Sequence, residues 1–162
     1  MPFDLHPEYP PQGIPRDQLH RRYGDHVHEH VRAMFEREGL TYNPPTDVVP
    51  NSRLALRLTE LARDRGLHEP VHNRLMDAYW SEGRNIGDRT ALRELAAETG
   101  LTEVDGVFDG DAYLDRIRAS TEQAQSIGIN GIPAFLLDGR LLVLGAHPRE
   151  VFERAFERLG SS

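Results

Sequence analysis

The spacing of apolar residues predicts a chain built mainly from amphipathic helices. Between about residues 17 and 128, and again after Pro148, apolar side chains recur three and four positions apart, which gives each segment one face to bury. Capping residues and glycines then suggest the bounds of each helix. The predicted helices are Asp17 to Glu38 ending at Gly39, Asn51 or Ser52 to Gly66, about 70 to 80, Asp88 to Gly100, a short turn at 103–107, about 113 to Gly128, and Pro148 to about Leu159.

The pattern changes between Gly128 and Pro148, where the sequence reads GINGIPAFLLDGRLLVLGAHP. Two short apolar runs, 134–137 and 141–144, flank Asp138-Gly139, and a DG pair between such runs is typical of a two-residue β-hairpin. Each run is apolar without interruption, so both strands are expected to be buried on both faces. Pro133 has no N–H for a ladder and therefore begins the first strand or lies at an edge.

Two further extended segments are predicted. Phe3 and Leu5 alternate with polar neighbours, as in a short half-buried strand, and a proline-rich loop follows them. Thr41-Tyr42 is expected to form a brief extended piece before a turn marked by prolines.

Composition narrows the functional classes. A chain of 162 residues suits one domain, with room for an inserted subdomain. The net charge of −7 argues against a nucleic-acid-binding surface. The sequence has neither a run of about 18 apolar residues nor a secretory signal pattern, so neither membrane insertion nor secretion is indicated.

Two missing residue types exclude whole kinds of chemistry. The sequence has no cysteine, so these residues cannot form a disulfide, supply a thiolate nucleophile or build a thiolate zinc site. All 19 basic residues are arginine, which also excludes a lysine Schiff base. No catalytic residue is therefore assigned.

A histidine-rich segment, DHVHEH, is the one candidate for a metal site. On a helix His26 and His30 share a face and His28 lies on the other side, but no distant third ligand is evident, so the pattern favours a solvated polar face and no metal. Asp25, His26 and Glu29 could be drawn as an acid–base set, yet nothing places a nucleophile beside them.

Residues 79–85, YWSEGRN, could line a substrate surface. Arg84 and Asn85 lie between two glycines and could bind a carboxylate or a phosphate. An aromatic pair such as Tyr79-Trp80 is more often part of a core, and an exposed arginine is ordinary.

The motifs quoted above carry a family resemblance. The segment GINGIPAFLLDGRLLVLGAHPREVFERAF, together with F-x-L-x-P-x-x-P-x-x-G at residues 3–13, resembles the DsbA-like branch of the thioredoxin superfamily. It is most similar to FrnE-like proteins and their relatives, the 2-hydroxychromene-2-carboxylate isomerases and kappa-class glutathione transferases. The resemblance covers nearly the whole chain, although Leu56 stands where many relatives have histidine.

The resemblance implies a mostly helical α/β fold of the DsbA type. Residues 1–15 and 111–162 would form the thioredoxin-like portion, and residues 16–110 a helical insert. Pro133 would follow a cis peptide bond and face a catalytic CxxC. The substrate-binding residues would be Gly131, Ile132 and Pro133, with the Ile132 backbone offered to an extended thiol substrate.

The family begins with a strand, the CxxC and a first helix, and the sequence has no counterpart of them. Because that strand is central, its absence would leave two ladder edges unpaired. We therefore expect either a sequence that starts too late or a strand supplied from elsewhere, for instance by a homodimer through the open sheet edge.

Three functions follow from the resemblance. The first is a cytoplasmic thiol–disulfide oxidoreductase that carries the cis-proline docking part without the redox cysteines, with a thiol or disulfide peptide as substrate and no cofactor. The second is a glutathione-dependent isomerase or transferase, in which the loop would hold the tripeptide. The third is a non-catalytic binding or assembly module. No nucleic-acid or membrane partner is expected.

Overall fold

The computed structural model describes residues 1–160, apart from the side chains of His20, Tyr23 and residues 25–28. Within that part of the chain, helices dominate and the strands are short. The elements in order are β1 (Ile14–Pro15), α1 (Arg16–Tyr23), α2 (Asp25–Arg37), β2 (Val48–Val49), α3 (Arg53–Asp64), α4 (His68–Trp80), α5 (Arg89–Glu98), α6 (Asp105–Asp109), α7 (Leu114–Ser126), β3 (Ala134–Leu137), β4 (Leu141–Leu144) and α8 (Arg149–Gly160).

The hydrophobic core lies among helices α3 to α6. Leu58 and Leu92 are fully buried, and Phe108 of α6 is 2% exposed. The apolar spacing predicted the places of Leu58 and Leu92 on their helices, whereas it did not single out Phe108, which lies just after the short turn expected at 103–107. The predicted cap is also confirmed, since the side chain of Asp88 accepts a hydrogen bond from the Ala91 N–H at the start of α5.

The long helix predicted from Asp17 to Glu38 is two helices in the structure. Gly24 separates α1 from α2 and has φ 78°, a conformation outside the α-helical region. The glycine provides a break at low steric cost, and the apolar spacing continues across it, so the pattern alone did not show it. Gly39 has φ 69° just beyond α2, as expected of a glycine that ends a helix.

A short antiparallel ladder joins β1 to β2, with Ile14 opposite Val49 and Pro15 opposite Val48. The extended piece predicted at Thr41-Tyr42 is not a strand, and the pairing lies several residues later. Gly13 precedes the ladder with φ 79°, and a side chain there would clash with the carbonyl oxygen of Val49. The close approach of two backbones therefore requires glycine at this position.

The strand predicted around Phe3 and Leu5 is also wrong. The Asp4 N–H donates to Thr121 Oγ1 at 3.1 Å, and Ser120 Oγ donates to the carbonyl oxygen of Pro2 at 2.7 Å. The segment thus satisfies its backbone with side chains of α7, because the described residues offer it no strand to pair with.

The predicted hairpin is confirmed, with β3 and β4 paired from Ala134 opposite Leu144 to Leu137 opposite Leu141. Its loop has three residues instead of two, and it is closed by a hydrogen bond from the Arg140 N–H to the Leu137 carbonyl at 3.0 Å. Asp138 and Gly139 both have positive φ, which explains why this pair suits the turn.

The expectation that both strands are buried on both faces is wrong. Phe135, Leu136 and Leu144 are 39%, 46% and 48% exposed. The Phe135 ring packs edge-on against Phe152 of α8, with ring centroids 4.9 Å apart, so α8 covers part of one face. Among residues 1–160, no third strand pairs with either outer edge of the hairpin.

The mostly helical α/β architecture agrees with the fold class expected from the sequence. In the described part of the chain the strands form two separate two-stranded sheets. None of the described helices is both long and apolar enough to cross a membrane.

Candidate substrate-binding site

The loop before β3 presents unpaired backbone groups to solvent. The peptide bond between Ile132 and Pro133 is cis, and Ile132 is 64% exposed. The Pro133 carbonyl accepts a hydrogen bond from the Gly145 N–H at 2.8 Å, which fixes the loop against the end of β4. Within the described structure, neither Gly131 nor Ile132 makes a backbone hydrogen bond. Their N–H and C=O groups are therefore available to another chain.

This loop forms one side of a cavity of about 680 Å³. Residues of α1 share this lining with Gly131 and Ile132, and the segment 5–8 also contributes to it. The rest of the lining comes from Val31 of α2, from Tyr42 and from the end of α4, so the cavity combines segments that are far apart in the sequence.

An aromatic cluster forms the apolar wall of the cavity. The Tyr42 ring lies 5.9 Å from the ring of Trp80, and Phe35 of α2 packs 5.3 Å from each of them. Tyr79 meets Trp80 edge-on at 4.7 Å. Burial raises the pKa of the Tyr42 hydroxyl above its usual value, so this group is neutral at physiological pH.

Charged groups form another part of the cavity lining. Glu8 lies 3.1 Å from His6 Nδ1 and 3.7 Å from the Arg22 guanidinium. A hydrogen bond from a backbone N–H lowers the pKa of the Glu8 carboxyl, and His6 acts in the same direction. Arg16, the first residue of α1, is only 8% exposed and lines the cavity as well.

The structure brings some of the residues singled out by the sequence into this cavity and leaves others outside. Gly131, Ile132, Tyr79 and Trp80 line it, and Pro133 immediately follows the lining residues. Arg84 instead forms ion pairs with Glu94 and Glu98, and the Asn85 side chain accepts a hydrogen bond from the Gly87 N–H. Leu56 is half-buried on α3 and does not line the cavity.

The structure does not test the histidine-rich segment as a metal site. The side chains of His26, His28 and Asp25 fall outside the described residues, whereas Glu29 and His30 are exposed. Among the side chains that are described, no cluster of three or more His, Asp or Glu could hold a metal ion.

Sequence reasoning missed Arg16 and Tyr42. Arg16 is one of 19 arginines, and nothing in its neighbourhood marks it as buried. Its burial comes from the β1–β2 ladder, which the sequence did not reveal. A run of more than two adjacent β-branched residues would have predicted β2. That strand, in turn, would have indicated the burial of Arg16 and the position of Tyr42 before it.

The hairpin, the cis-proline loop and the block of helices define a thioredoxin-like protein of the DsbA type. A family model for the DSBA-like thioredoxin domain matches residues 1–157. The chain therefore belongs to the DSBA-like thioredoxin domain family, as the sequence motifs suggested.

Solved structures and sequence relatives agree with this assignment. A probable DsbA oxidoreductase from Streptomyces coelicolor superposes with a TM-score of 0.87 at 30% identity, covering 99% of this chain and 74% of that one. The cytosolic disulfide reductase DsbM from Pseudomonas aeruginosa gives a TM-score of 0.55 at 27% identity, covering 75% and 70%. The uncharacterized protein YwbO of Bacillus subtilis is 28% identical over 96% of this chain and 78% of its own length. The DsbA of Bordetella parapertussis is 28% identical over 44% of this chain and 35% of its own length.

Proposed function

We propose that this chain provides the substrate-docking part of a FrnE-like thiol–disulfide oxidoreductase. In this proposal Gly131, Ile132 and Pro133 hold a thiol or disulfide peptide in an extended conformation. The observation that carries the proposal is the exposed cis-proline loop, whose Gly131 and Ile132 backbone groups have no partner in the described structure.

The physical argument is one of strand addition. An extended peptide placed beside Ile132 can exchange N–H···O=C hydrogen bonds with it, in the manner of an added β-strand. Backbone bonding of this kind does not depend on the side chains of the ligand, so any selectivity must come from the surrounding cavity. The neighbouring cavity, of about 680 Å³, can receive side chains of the bound segment.

The 162 residues contain no cysteine, so the thiolate that attacks a disulfide must come from outside them. We therefore expect the 162-residue chain to catalyse neither dithiol-driven insulin reduction nor disulfide transfer. A turbidity assay with dithiothreitol, compared with a reaction lacking protein, measures this directly. Turnover above the blank would contradict the proposal that the redox chemistry lies elsewhere.

A peptide titration tests docking itself. The ligand is a blocked pentapeptide with a central S-methylcysteine, and its control is the same peptide N-methylated at that residue. Loss of one or two backbone hydrogen bonds should weaken binding by about tenfold. The amide resonances of Gly131 and Ile132 in ¹⁵N–¹H spectra should shift with the parent peptide. Equal binding of both peptides, or shifts confined to other regions, would contradict docking at this loop.

The glutathione-dependent isomerase branch is the alternative. There the same loop would hold the glutathione backbone through the exposed N–H and C=O groups of Gly131 and Ile132. Titration with S-methylglutathione separates the two. Tight glutathione binding together with no pentapeptide binding would favour the isomerase branch.

We also propose that the outer edge of the hairpin pairs with a strand from another segment or from a second copy of the chain. The exposed Phe135 and Leu136 and the unpaired ladder edge within residues 1–160 support this. Sedimentation velocity from micromolar to millimolar concentration should show a dimer. Purely monomeric behaviour over this range would exclude a second copy as the partner.

We also propose a cellular compartment for the protein and a division of the chain into two parts. The likeness to a cytosolic disulfide reductase supports a cytoplasmic location. The placement of the core helices between the β1 region and the hairpin supports an insert over residues 16–110, flanked by a thioredoxin-like portion.

A further inference from the structure

Arg16 is a buried cation without a counter-ion. The residue as a whole is only 8% exposed. The described hydrogen bonds of its guanidinium both come from Nη2, which donates to the Val48 carbonyl and to the Tyr79 hydroxyl at 3.3 Å each. Nε is buried and has no partner among the described residues. No described carboxylate lies within ion-pairing distance of it.

This arrangement is costly in the absence of a ligand. A buried charge is expensive unless it is paired and hydrogen-bonded, and arginine stays protonated at any physiological pH. Two long bonds to neutral oxygens compensate only part of the lost hydration. An anion bound beside the guanidinium would therefore supply the partner that the charge lacks.

Among the described contacts, neither Glu8 nor Asp47 pairs its carboxylate with the Arg16 guanidinium. Glu8, across the same cavity, is paired with His6 and Arg22. The Asp47 backbone carbonyl accepts the hydrogen bond of the Arg16 N–H, but its carboxylate forms no ion pair with the guanidinium. The described part of the chain thus does not itself satisfy Arg16.

We propose that Arg16 binds a carboxylate of the docked ligand, so that the site selects acidic thiol or disulfide substrates. This inference rests on the proposed docking function, because Arg16 and the Gly131-Ile132 loop line the same cavity. A single extended ligand could bond the loop through its backbone and place an acidic group at Arg16.

The adjoining aromatic wall adds a second feature to the preferred ligand. Tyr42, Tyr79 and Trp80 lie beside the guanidinium and present mainly apolar surface. The ligand chemistry is therefore a carboxylate next to an apolar or flat group. An acidic peptide side chain and the carboxylates of glutathione share this chemistry.

The test compares two isosteric probes on the full 162-residue chain. Both are blocked pentapeptides with a central S-methylcysteine. Two positions before that residue, one peptide has Glu and the other has Gln. A charge-assisted hydrogen bond to a guanidinium should make the Glu peptide bind about tenfold more tightly than the Gln peptide. S-methylglutathione and its diamide form a second pair, which shows whether a free small ligand gains the same preference.

Variants of Arg16 assign the preference to this residue. Arg16→Gln should bring the Glu-to-Gln affinity ratio to about one, and Arg16→Lys should give a ratio between that value and the unmodified one, because the charge remains but the forked donors are lost. The matched control is Arg21→Gln, which removes a cation of the same helix that is 70% exposed, paired with Asp17 and outside the cavity lining. The control should preserve at least half of the ratio. A role confined to supporting β2 would change stability without changing this ratio.

A spectroscopic readout does not depend on the folding of any variant. The Arg16 Nε–H resonance, assigned by its loss in Arg16→Lys or by triple-resonance spectra, should shift with the Glu peptide and not with the Gln peptide. Equal affinity of the two peptides for the wild-type chain, for both ligand pairs, would overturn the inference and leave docking intact. Failure of both peptides and of glutathione to bind would overturn docking itself, and this inference with it.

Discussion

The helical block α3–α6 buries its apolar side chains more completely than the β3–β4 hairpin and α8 do. In the helical block Leu58 and Leu92 have no exposed surface. In the hairpin and α8, Leu144 and Phe156 are 48% and 59% exposed although they are equally apolar. Both regions carry apolar side chains at regular spacings in the sequence. What differs is whether the neighbouring elements needed to cover each apolar face are present in the described structure.

The contrast teaches that the two regions derive their stability from different sources. Helices α3 to α6 bury their apolar stripes against one another, so local pattern and tertiary packing agree. The hairpin satisfies its inner ladder but leaves edges and faces open, and a two-stranded ribbon alone is marginal in water. We therefore expect stability to be concentrated in the helical block and binding in the hairpin region.

The largest effect should come from truncating the helical core. Leu58→Ala leaves a cavity at a fully buried position and should lower the free energy of unfolding by about 2–5 kcal/mol. The matched control is Leu144→Ala in β4, which should cost less than about 1 kcal/mol because the side chain is half exposed. Urea denaturation followed by circular dichroism measures both. Similar losses in the two variants would refute the contrast.

A smaller effect should come from the cap of α5. Asp88→Ala removes the acceptor of the Ala91 N–H and should cost about 1 kcal/mol, whereas Asp88→Asn should restore most of it. Ser52 precedes α3 without a side-chain capping bond. Ser52→Ala, measured by the same urea titrations, should therefore change the unfolding free energy much less. A larger loss for Ser52→Ala would show that the cap geometry is misassigned.

A still smaller effect should appear in the acid dependence of stability. The hydrogen bond from Arg74, the main cause, lowers the pKa of the Glu98 carboxyl in the folded state. Its stabilising contribution is therefore present above the pKa of the unfolded state and is lost as the pH falls through the folded-state value. Glu98→Gln should reduce the drop in unfolding free energy between about pH 6 and about pH 3.

The control for this pH effect is Glu122→Gln, which removes an exposed carboxylate of α7 that is not in this ion-pair network. It should leave the acid dependence close to that of the unmodified chain. Identical pH profiles for Glu98→Gln and the unmodified chain would contradict the pairing with Arg74.

The smallest change in stability should follow from an α8 substitution. Phe156→Ser replaces a side chain that is 59% exposed, so the unfolding free energy should change by less than about 0.5 kcal/mol. Association measured by sedimentation velocity should weaken if a second copy covers this face. A loss of more than about 2 kcal/mol at concentrations where the chain is monomeric would show that α8 belongs to a closed core.

Much of this fold could be predicted from the sequence where pattern and neighbours are local. The apolar stripe that includes Leu58, the cap at Asp88 and the Asp138-Gly139 turn each depend on residues a few positions apart. The cis bond before Pro133 could be expected only from the family resemblance, because the local sequence alone favours trans.

The other features of the fold depend on contacts between distant parts of the sequence, which a local pattern does not show. The break at Gly24 interrupts an apolar spacing that continues on both sides of it. The β1–β2 ladder has two residues per strand, too short to give a period. The burial of Arg16 follows from that ladder and from Tyr79, 63 positions away in the sequence. The candidate site was therefore predictable at its proline loop and not at its charged wall.

The crowded backbone at Gly13 has a consequence for how this site can vary. Because a methyl group there would collide with the Val49 carbonyl, every larger residue would push β1 away from β2 and displace the arginine three positions later. In a saturation library selected for ligand capture, position 13 should accept almost no replacement, although it lies outside the cavity lining. The charge preference that we propose for the site could then change through substitutions in the cavity lining, but not through substitutions at Gly13, because its turn positions β1 and with it Arg16.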